Sequence, residues 1–457
     1  MPVAAVALML AGLPTATAEQ TGSVIFIHPD GASSATWAAA RAYHVGPDSD
    51  LNWDRLPHIA LYRGHMIDSL TATSNGGATT HATGIKVRSS AFGKFASGKD
   101  APRITDANGN YRSVAIEALA AGLRVGVVQS GTAIEPGTAV FLTDADSRQK
   151  HDDIALGLLT SGAHVILGGG EQHFLPRGTE GVHGPGKRRD DKNLVEHARS
   201  LGYTVIRTRD ELLALPADTD KVLGLFASYH TFNDKPEEVL QAAGLPNYDP
   251  EAPTLAEMTE VALRLLSRNG HQFLLVLEEE GPDNFGNNNN AGGTLEALKR
   301  TDDAFGVARR FLVERPDTLI VTAADSDGGG MRMIGVRIDP DHPKPVEDLR
   351  DVPANDRNGA PQDGIAGPNS KPFLAAPDRN GVRLPFSIVW ATGKDVAGGV
   401  LVRAEGLNAK HVHGSFDNTQ IAELIRLTLF GRNAQPPPSP PAATVPATEA
   451  DSMAASP

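Results

Sequence analysis

Residues 71–86 read TATSNGGATTHATGIK. The stretch carries no acidic side chain and runs from small hydroxyls through a glycine pair to Lys86. After Ser74, Asn75, Gly76 and Gly77 come helix-compatible Ala78, Thr79, Thr80, His81 and Ala82. A hydroxyl at the mouth of a helix sits where backbone N–H groups are unpaired and the dipole favours an anion. One reading is an N-cap serine. The other is a nucleophile whose phosphoserine is cradled by the N–H groups near Gly76 and Gly77. The rest of the chain decides between them.

The 457 residues can bury a sizeable core. With 42 Lys and Arg against 55 Asp and Glu, the formal charge is −13, which argues against nucleic acid as a partner. There are no cysteines, hence no disulfides and no thiolate metal ligands. No stretch of the body is apolar for the length of a membrane span. Residues 3–13, VAAVALMLAGL, followed by Ala16, Thr17 and Ala18, read as a signal peptide over 1–18, although a basic n-region is missing. The mature chain is therefore expected to be exported, periplasmic or secreted. Residues 434–457, rich in Pro and Ala, cannot form a packed core and read as a disordered tail.

Between these ends, strand-like and helix-like segments alternate. VIFI (24–27), RVGVVQS, HVILGGG, YTVIRT, KVLGLFA, FLLVLE, TLIVTAA and PFSIVWA read as strands. Helical patterns over 113–121, 254–268, 294–314 and 419–429 lie among them. This order predicts a three-layer α/β/α sandwich around a central, largely parallel sheet. Residues 339–383, rich in Pro, Asp, Asn and Gly, are too long for a plain connection and read as an inserted loop or lid.

Ligands of such a sheet bind beyond the carboxyl ends of its strands. Those positions hold Asp30-Gly31; Glu278, Glu279 and Glu280 ahead of Gly281 and Asp283; and Asp325, Ser326 and Asp327 ahead of three glycines. Carboxylates crowded at one edge need cations, so a divalent metal site is expected. In an extended segment Glu278 and Glu280 share a side while Glu279 points away.

Taken in order, these pieces resemble the alkaline phosphatase family from about residue 23 to residue 431. Asp30-Gly31 is similar to that family's first metal-binding aspartate, and Ser74, upstream of Thr83-Gly84-Ile85-Lys86, to its phosphorylated serine. In EPGTAVFLTDADSR, Thr138 falls where a magnesium-binding threonine is expected and Arg148 where an arginine grips the phosphate. HVILGGGEQHFLPRG, Glu278 with Asp283, VTAADSDGG, PFSIVWATGKDV and HGSFDNTQIAELI continue the series.

The chain departs from the family where zinc would be held by histidine. Asn287, Ala391 and the pair Ala324-Asp325 stand in those places, and Thr73 replaces the aspartate before the nucleophile. The ligand set that the resemblance leaves is Asp30, Thr138, Glu278, Asp283, Asp325 and Asn287, with Asp327 nearby. Oxygen donors favour Mg²⁺, Ca²⁺ or Mn²⁺, whereas the family implies Zn²⁺. His28 and His81 lie beside the site and His183 in a glycine-rich loop; each reads first as a structural histidine.

The resemblance implies a catalytic domain over 19–433. It also implies hydrolysis of small-molecule phosphate monoesters through a phosphoserine at Ser74, and it is compatible with a homodimer. The alternatives are a phosphodiesterase or sulfatase of the same superfamily, or a phosphate- or metal-binding protein without catalysis.

Overall fold

The computed structural model describes residues 20–339, 342 and 344–431. The expected signal peptide and tail lie outside these residues. Fourteen strands are present among them. They are β1 (Ser23–Pro29), β2 (His58–Arg63), β3 (Arg124–Thr132), β4 (Val165–Gly169), β5 (Tyr203–Ile206), β6 (Lys221–Leu225) and β7 (Phe273–Glu279). Then follow β8 (Thr318–Thr322), β9 (Arg332–Gly335), β10 (Gln362–Asp363), β11 (Phe373–Leu374), β12 (Pro385–Val389), β13 (Leu401–Gly406) and β14 (Gly414–Asp417).

Ten strands form one sheet in the order β14-β2-β13-β8-β1-β7-β3-β4-β6-β5. Only β13 runs against its neighbours β2 and β8. The apolar runs become its centre because alternate residues feed two separate cores. Val24 and Phe26 of β1 face one core, with the helices Ser74–Thr83, Val114–Ala120, His151–Thr160 and Thr419–Phe430. Ile25 and Ile27 face the other, with Ser34–His44, Leu255–Leu266 and Ala291–Glu314. Each fully buried Ile, Leu or Phe contributes about 1.5–3 kcal/mol, so a strand loaded on both faces is fixed firmly in place. The result is the expected α/β/α sandwich. Among the described residues no helix is long and apolar enough to cross a membrane.

Two regions differ from the sequence reading. Pro385–Val389, expected among the parallel strands, instead centres a small antiparallel sheet, with β9 on one side and β10 and β11 on the other. The expected loop over 339–383 supplies β10 and β11 to that sheet, so part of it is paired backbone. Phe373 from that segment, with Phe386 of β12 and Trp390 just after it, packs into the second core. Strands β2, β13 and β14 carry too many polar residues for a hydrophobic run to mark them.

Register positions the site. Ile27 of β1 lies level with Leu277 of β7 on one side and Thr322 of β8 on the other. All three central strands therefore end together, and the residues just beyond them converge.

Candidate active site

The convergence brings Asp30, Glu278, Glu280, Asp283 and Asp325 to one edge of the sheet. His28, Asp30 and Glu278 offer ligand atoms within 4.8 Å of one another, and so do Asp30, Glu280 and Asp283. Asp30 belongs to both groups and so joins two adjacent sites. Glu279 points the other way, accepting from Ser130 Oγ at 2.6 Å and Tyr248 Oη at 2.7 Å. The strand alternation read from the sequence is what the geometry has.

These side chains are buried and incompletely partnered. Both oxygens of Asp30 and of Asp325, together with Glu278 Oε1, Glu280 Oε2, Thr138 Oγ1 and His28 Nε2, have no hydrogen-bond partner. Unpaired buried charge costs several kcal/mol per group. A cation coordinated by these atoms would remove that cost, so the donor set fits divalent metal ions. It is not purely oxygen, because His28 Nε2 lies 3.6 Å from Asp30 Oδ1 and 3.9 Å from Glu278 Oε1. The Nδ1 of His28 is hydrogen-bonded to the carbonyl of Ala323 at 2.8 Å, which leaves Nε2 to face the carboxylates. His81 is spent otherwise: its Nε2 meets Tyr62 Oη at 2.6 Å. His183 Nε2 bonds to the carbonyl of Arg207 at 3.0 Å, within its own loop region.

The electrostatics follow from this crowding. Burial pushes the carboxyls of Asp325, Asp283 and Glu280 well up, and neighbouring carboxylates add to it. Glu278 is pushed up to about 8 by burial, with His28 opposing and Asp30 adding. At Asp30 burial also acts upward, but His28, Asp325 and Ser74 outweigh it and hold this carboxyl low. Burial disfavours the His28 imidazolium, yet Asp30 and Glu278 prevail and lift it to about 9. A bound dication would replace His28 as the counter-charge and hold the carboxylates ionised.

Ser74 is 6 % exposed and its hydroxyl acts on the Asp30 carboxylate. It is the first residue of the helix Ser74–Thr83, while Thr73 occupies the cap. The N-cap reading of Ser74 is therefore corrected by one residue. So is the expected cradle: Gly76 N–H donates to Ser89 O at 3.1 Å and Gly77 N–H to Thr73 O at 2.8 Å. The first-turn amides left for an anion are those of Ser74 and Asn75. Gly77 has a different use, since a Cβ there would stand 2.5 Å from Asp325 Cβ. Gly137 is equally tight: a Cβ would come within 2.2 Å of both Glu278 carboxylate oxygens. Thr138, next to it in the short helix Pro136–Ala139, is thereby held beside Glu278. The other oxygen of Glu278 accepts from Gln129 Nε2.

Arg148 stands at the mouth, with Nη2 donating to Glu135 Oε2 at 2.7 Å. The charges of Glu280 and Asp30 reach its guanidinium. Asn287 sits among the expected ligands but is engaged as a hydrogen-bonding residue. Its Nδ2 donates to Asp283 Oδ1 at 3.0 Å and Asp395 Oδ1 at 2.8 Å, and its Oδ1 accepts from Gly329 N–H at 2.9 Å. Asp327 lies at the margin, with Oδ2 accepting from Arg332 at 2.8 Å.

Sequence reasoning missed Asp395 and Glu135. Asp395 is in electrostatic reach of Asp30 and meets the Asp283 carboxyl. It lies four residues beyond Ala391, where the helix-free turn after β12 brings its carboxylate to Asp283 and Asn287. Glu135 opens the EPGTAVF segment and gives no signal beyond its charge.

A sequence profile of the family described as alkaline phosphatase matches residues 22–430. A membrane-bound alkaline phosphatase of Bombyx mori is 30 % identical over 357 residues, 68 % of this chain and 61 % of that protein. The alkaline phosphatase of Escherichia coli (strain K12) is 27 % identical over 66 % of this chain and 69 % of its own length. The matched part thus spans less than two thirds of the Bombyx protein. The crystal structure of Thermus thermophilus alkaline phosphatase covers 94 % of this chain and 97 % of its own, with a TM-score of 0.69 and 22 % identity. That of the Antarctic bacterium TAB5 covers 90 % and 99 %, with a TM-score of 0.66 and 19 % identity. At such identities the likeness speaks for the fold, which is the one described above. The profile match across nearly the whole described chain goes further: this protein belongs to the alkaline phosphatase family.

Proposed function

We propose that the chain hydrolyses small-molecule phosphate monoesters through a phosphoserine at Ser74, with divalent cations held by Asp30, Glu278, Glu280, Asp283 and Asp325, and by Thr138 and His28. The observation that carries this reading is the Ser74 hydroxyl acting on Asp30, the carboxylate shared by two incompletely partnered clusters. In the first step a bond forms between Ser74 Oγ and phosphorus as the ester P–O bond breaks and the alcohol departs. In the second, water attacks phosphorus, the Oγ–P bond breaks, and inorganic phosphate leaves. One ester and one water thus give one alcohol and one phosphate.

The N–H groups of Ser74 and Asn75 would donate to a phosphoryl oxygen at the helix mouth. Arg148, fixed on one edge by Glu135, offers its remaining N–H groups to the same phosphoryl. Cations bound here would lower the pKa of the serine hydroxyl and of water and take up charge developing on the leaving oxygen. Asn287 and Asp395 orient Asp283. The apolar run and small residues over 3–18 further support an exported enzyme.

The test is acid quench during turnover, followed by peptide mapping. Phosphate on Ser74, and its loss in Ser74→Ala with folding intact, is the expected result. Full turnover in that variant would exclude the covalent route. Initial rates on phenyl phosphate, bis-aryl phosphate and aryl sulfate separate the monoesterase from its relatives in reaction class.

A further inference from the structure

Beyond Arg148 the structure has a cleft that the chemistry above does not use. Residues 149–153, together with Gln172, His173 and part of the turn region through Asp190, enclose about 950 Å³. Lys150, Arg177, Lys187 and Arg189 line it, and all four are exposed. Among the described residues none of their terminal groups is in an ion pair. The acidic residues of the wall are mostly engaged. Asp190 accepts from Arg188 Nε at 3.0 Å and Nη2 at 2.6 Å, and Asp152 Oδ2 accepts from Arg189 N–H at 3.1 Å. Among the described residues Asp153 has neither a hydrogen-bond nor an ion-pair partner. The cleft therefore holds four cations outside any ion pair against two carboxylates outside any, Asp152 and Asp153, in a protein whose net charge is −13.

The cleft is also continuous with the space beside Arg148. A smaller cavity of about 290 Å³ is lined by Glu135 and Arg148, and shares Gln149, His151 and Tyr229 with the larger one. At their junction His151 packs on His173 with ring centroids 4.8 Å apart, and His173 on Tyr229 at 5.9 Å. These rings form a wall that cannot compete for an anion. Burial holds the His173 imidazole down at about 3, so it adds no charge of its own. Arg148 joins the two regions: the charges of Glu280 and Asp30 reach it on one side, and it lines the small cavity that opens into the cleft on the other.

We propose that the cleft is a leaving-group subsite that selects phosphate esters carrying a second phosphate, which Lys150, Arg177, Lys187 and Arg189 bind. This rests on the phosphatase reading above and adds to it the class of substrate. Opposite charge in a partly enclosed cleft raises encounter rate and affinity for a polyanion, and salt erodes both.

The test compares propanediol bisphosphate, propyl phosphate, pyrophosphate and phenyl phosphate on the metal-loaded enzyme. The expected kcat/KM for propanediol bisphosphate exceeds that for propyl phosphate by about tenfold at low salt, and the excess shrinks at high salt. In the double variant Lys187→Ala/Arg189→Ala that excess should fall to about twofold or less, while phenyl phosphate, with its uncharged leaving group, is hydrolysed nearly as before. If pyrophosphate shares the gain, the subsite takes phosphoanhydrides as well; if not, it takes only the longer bisphosphate. Equal kcat/KM for the bisphosphate and propyl phosphate, or an excess untouched by the double variant, overturns the proposal. Absence of phenyl phosphate turnover would instead count against the phosphatase reading. Calorimetric binding of propanediol bisphosphate in the inactive Ser74→Ala background, with and without Lys187→Ala/Arg189→Ala, then decides the subsite alone, with equal affinities overturning it.

Discussion

Gly77 lies directly against Asp325: the helix that begins with Ser74 approaches the end of β8 so closely that a Cβ at Gly77 would stand 2.5 Å from Asp325 Cβ. The distance between nucleophile and carboxylate cluster is therefore set by a missing side chain. In an ordinary helix interior Gly→Ala stabilises by about 0.5–1 kcal/mol. Here the clash should reverse that sign. Gly77→Ala is expected to lower Tm and to reduce kcat/KM on phenyl phosphate by about a hundredfold, since small displacements of catalytic groups are costly. A variant with raised Tm and full activity would show that the helix has room to move.

Asp395 is expected to act through Asp283 and Asn287 rather than on substrate. Asp395→Asn should keep the fold but weaken metal binding about 10–100-fold, as loss of a residue supporting a ligand typically does. Titration of metal into stripped protein reads this directly. Unchanged metal affinity in Asp395→Asn would remove this residue from the site.

How far the site could be read from the sequence depends on what each part requires. Strands β1, β7 and β8 were legible because both their faces are buried, which leaves unbroken apolar runs, and the carboxylates just beyond them follow from strand ends alone. Strands β2 and β14 were not: β14 is an edge of the sheet, and in β2 the apolar Ile59 and Leu61 are exposed, so only Ala60 between them marks the buried face. Asp395 and Glu135 enter by turns whose course is set by tertiary packing. The mistaken cradle has the same origin. Ser89 comes back onto Gly76 from a loop, and also accepts from Thr73 Oγ1 at 2.6 Å, so the amide is taken by a contact no local pattern encodes. His28 shows the reverse: a residue inside an apolar strand reads as structural, yet Ala323 O, just beyond β8, orients its ring toward the carboxylates.

Glu237 gives a pH dependence away from the metal cluster. Burial, with Asp363 adding, lifts its carboxyl from 4.5 to about 8. One oxygen accepts from Gly292 N–H at 3.0 Å and the other has no partner. The folded state thus binds a proton that the unfolded chain releases between about pH 4.5 and 8. Its contribution is complete at the acidic end of that window and lost as pH rises through it. At about 1.4 kcal/mol per unit the loss is on the order of a few kcal/mol. Glu237→Gln keeps the acceptor for Gly292, so its Tm should fall less than that of the wild type between pH 5.5 and 9. Parallel curves for the two proteins would mean that Glu237 is ionised throughout.

The last prediction concerns which ion the carboxylates prefer. Where the family's zinc would find histidine nitrogens, this chain has Asn287 bonded to Asp283, Ala391, and Ala324 beside Asp325. Among the described residues, His28 Nε2 is the imidazole nitrogen within 4 Å of these carboxylates, against at least five carboxylates. Hard oxygen donors suit Mg²⁺, Ca²⁺ or Mn²⁺, and a single nitrogen gives Zn²⁺ little of its usual advantage. Chelator-stripped protein should therefore regain phenyl phosphate turnover with Mg²⁺, Ca²⁺ or Mn²⁺ better than with Zn²⁺. Asp30→Ala, which removes the carboxylate common to both ligand groups, should abolish metal uptake at both, measured by calorimetry as well as by rate. Asp283→Ala should remove only the uptake that Asp30 shares with Glu280. Putting histidine at Asn287 and Ala391 together should move the preference towards zinc, since it restores two nitrogen donors beside Asp283 and Asp325. Full recovery of the unmodified protein with stoichiometric Zn²⁺ alone would show instead that His28 and these carboxylates already make an adequate zinc site.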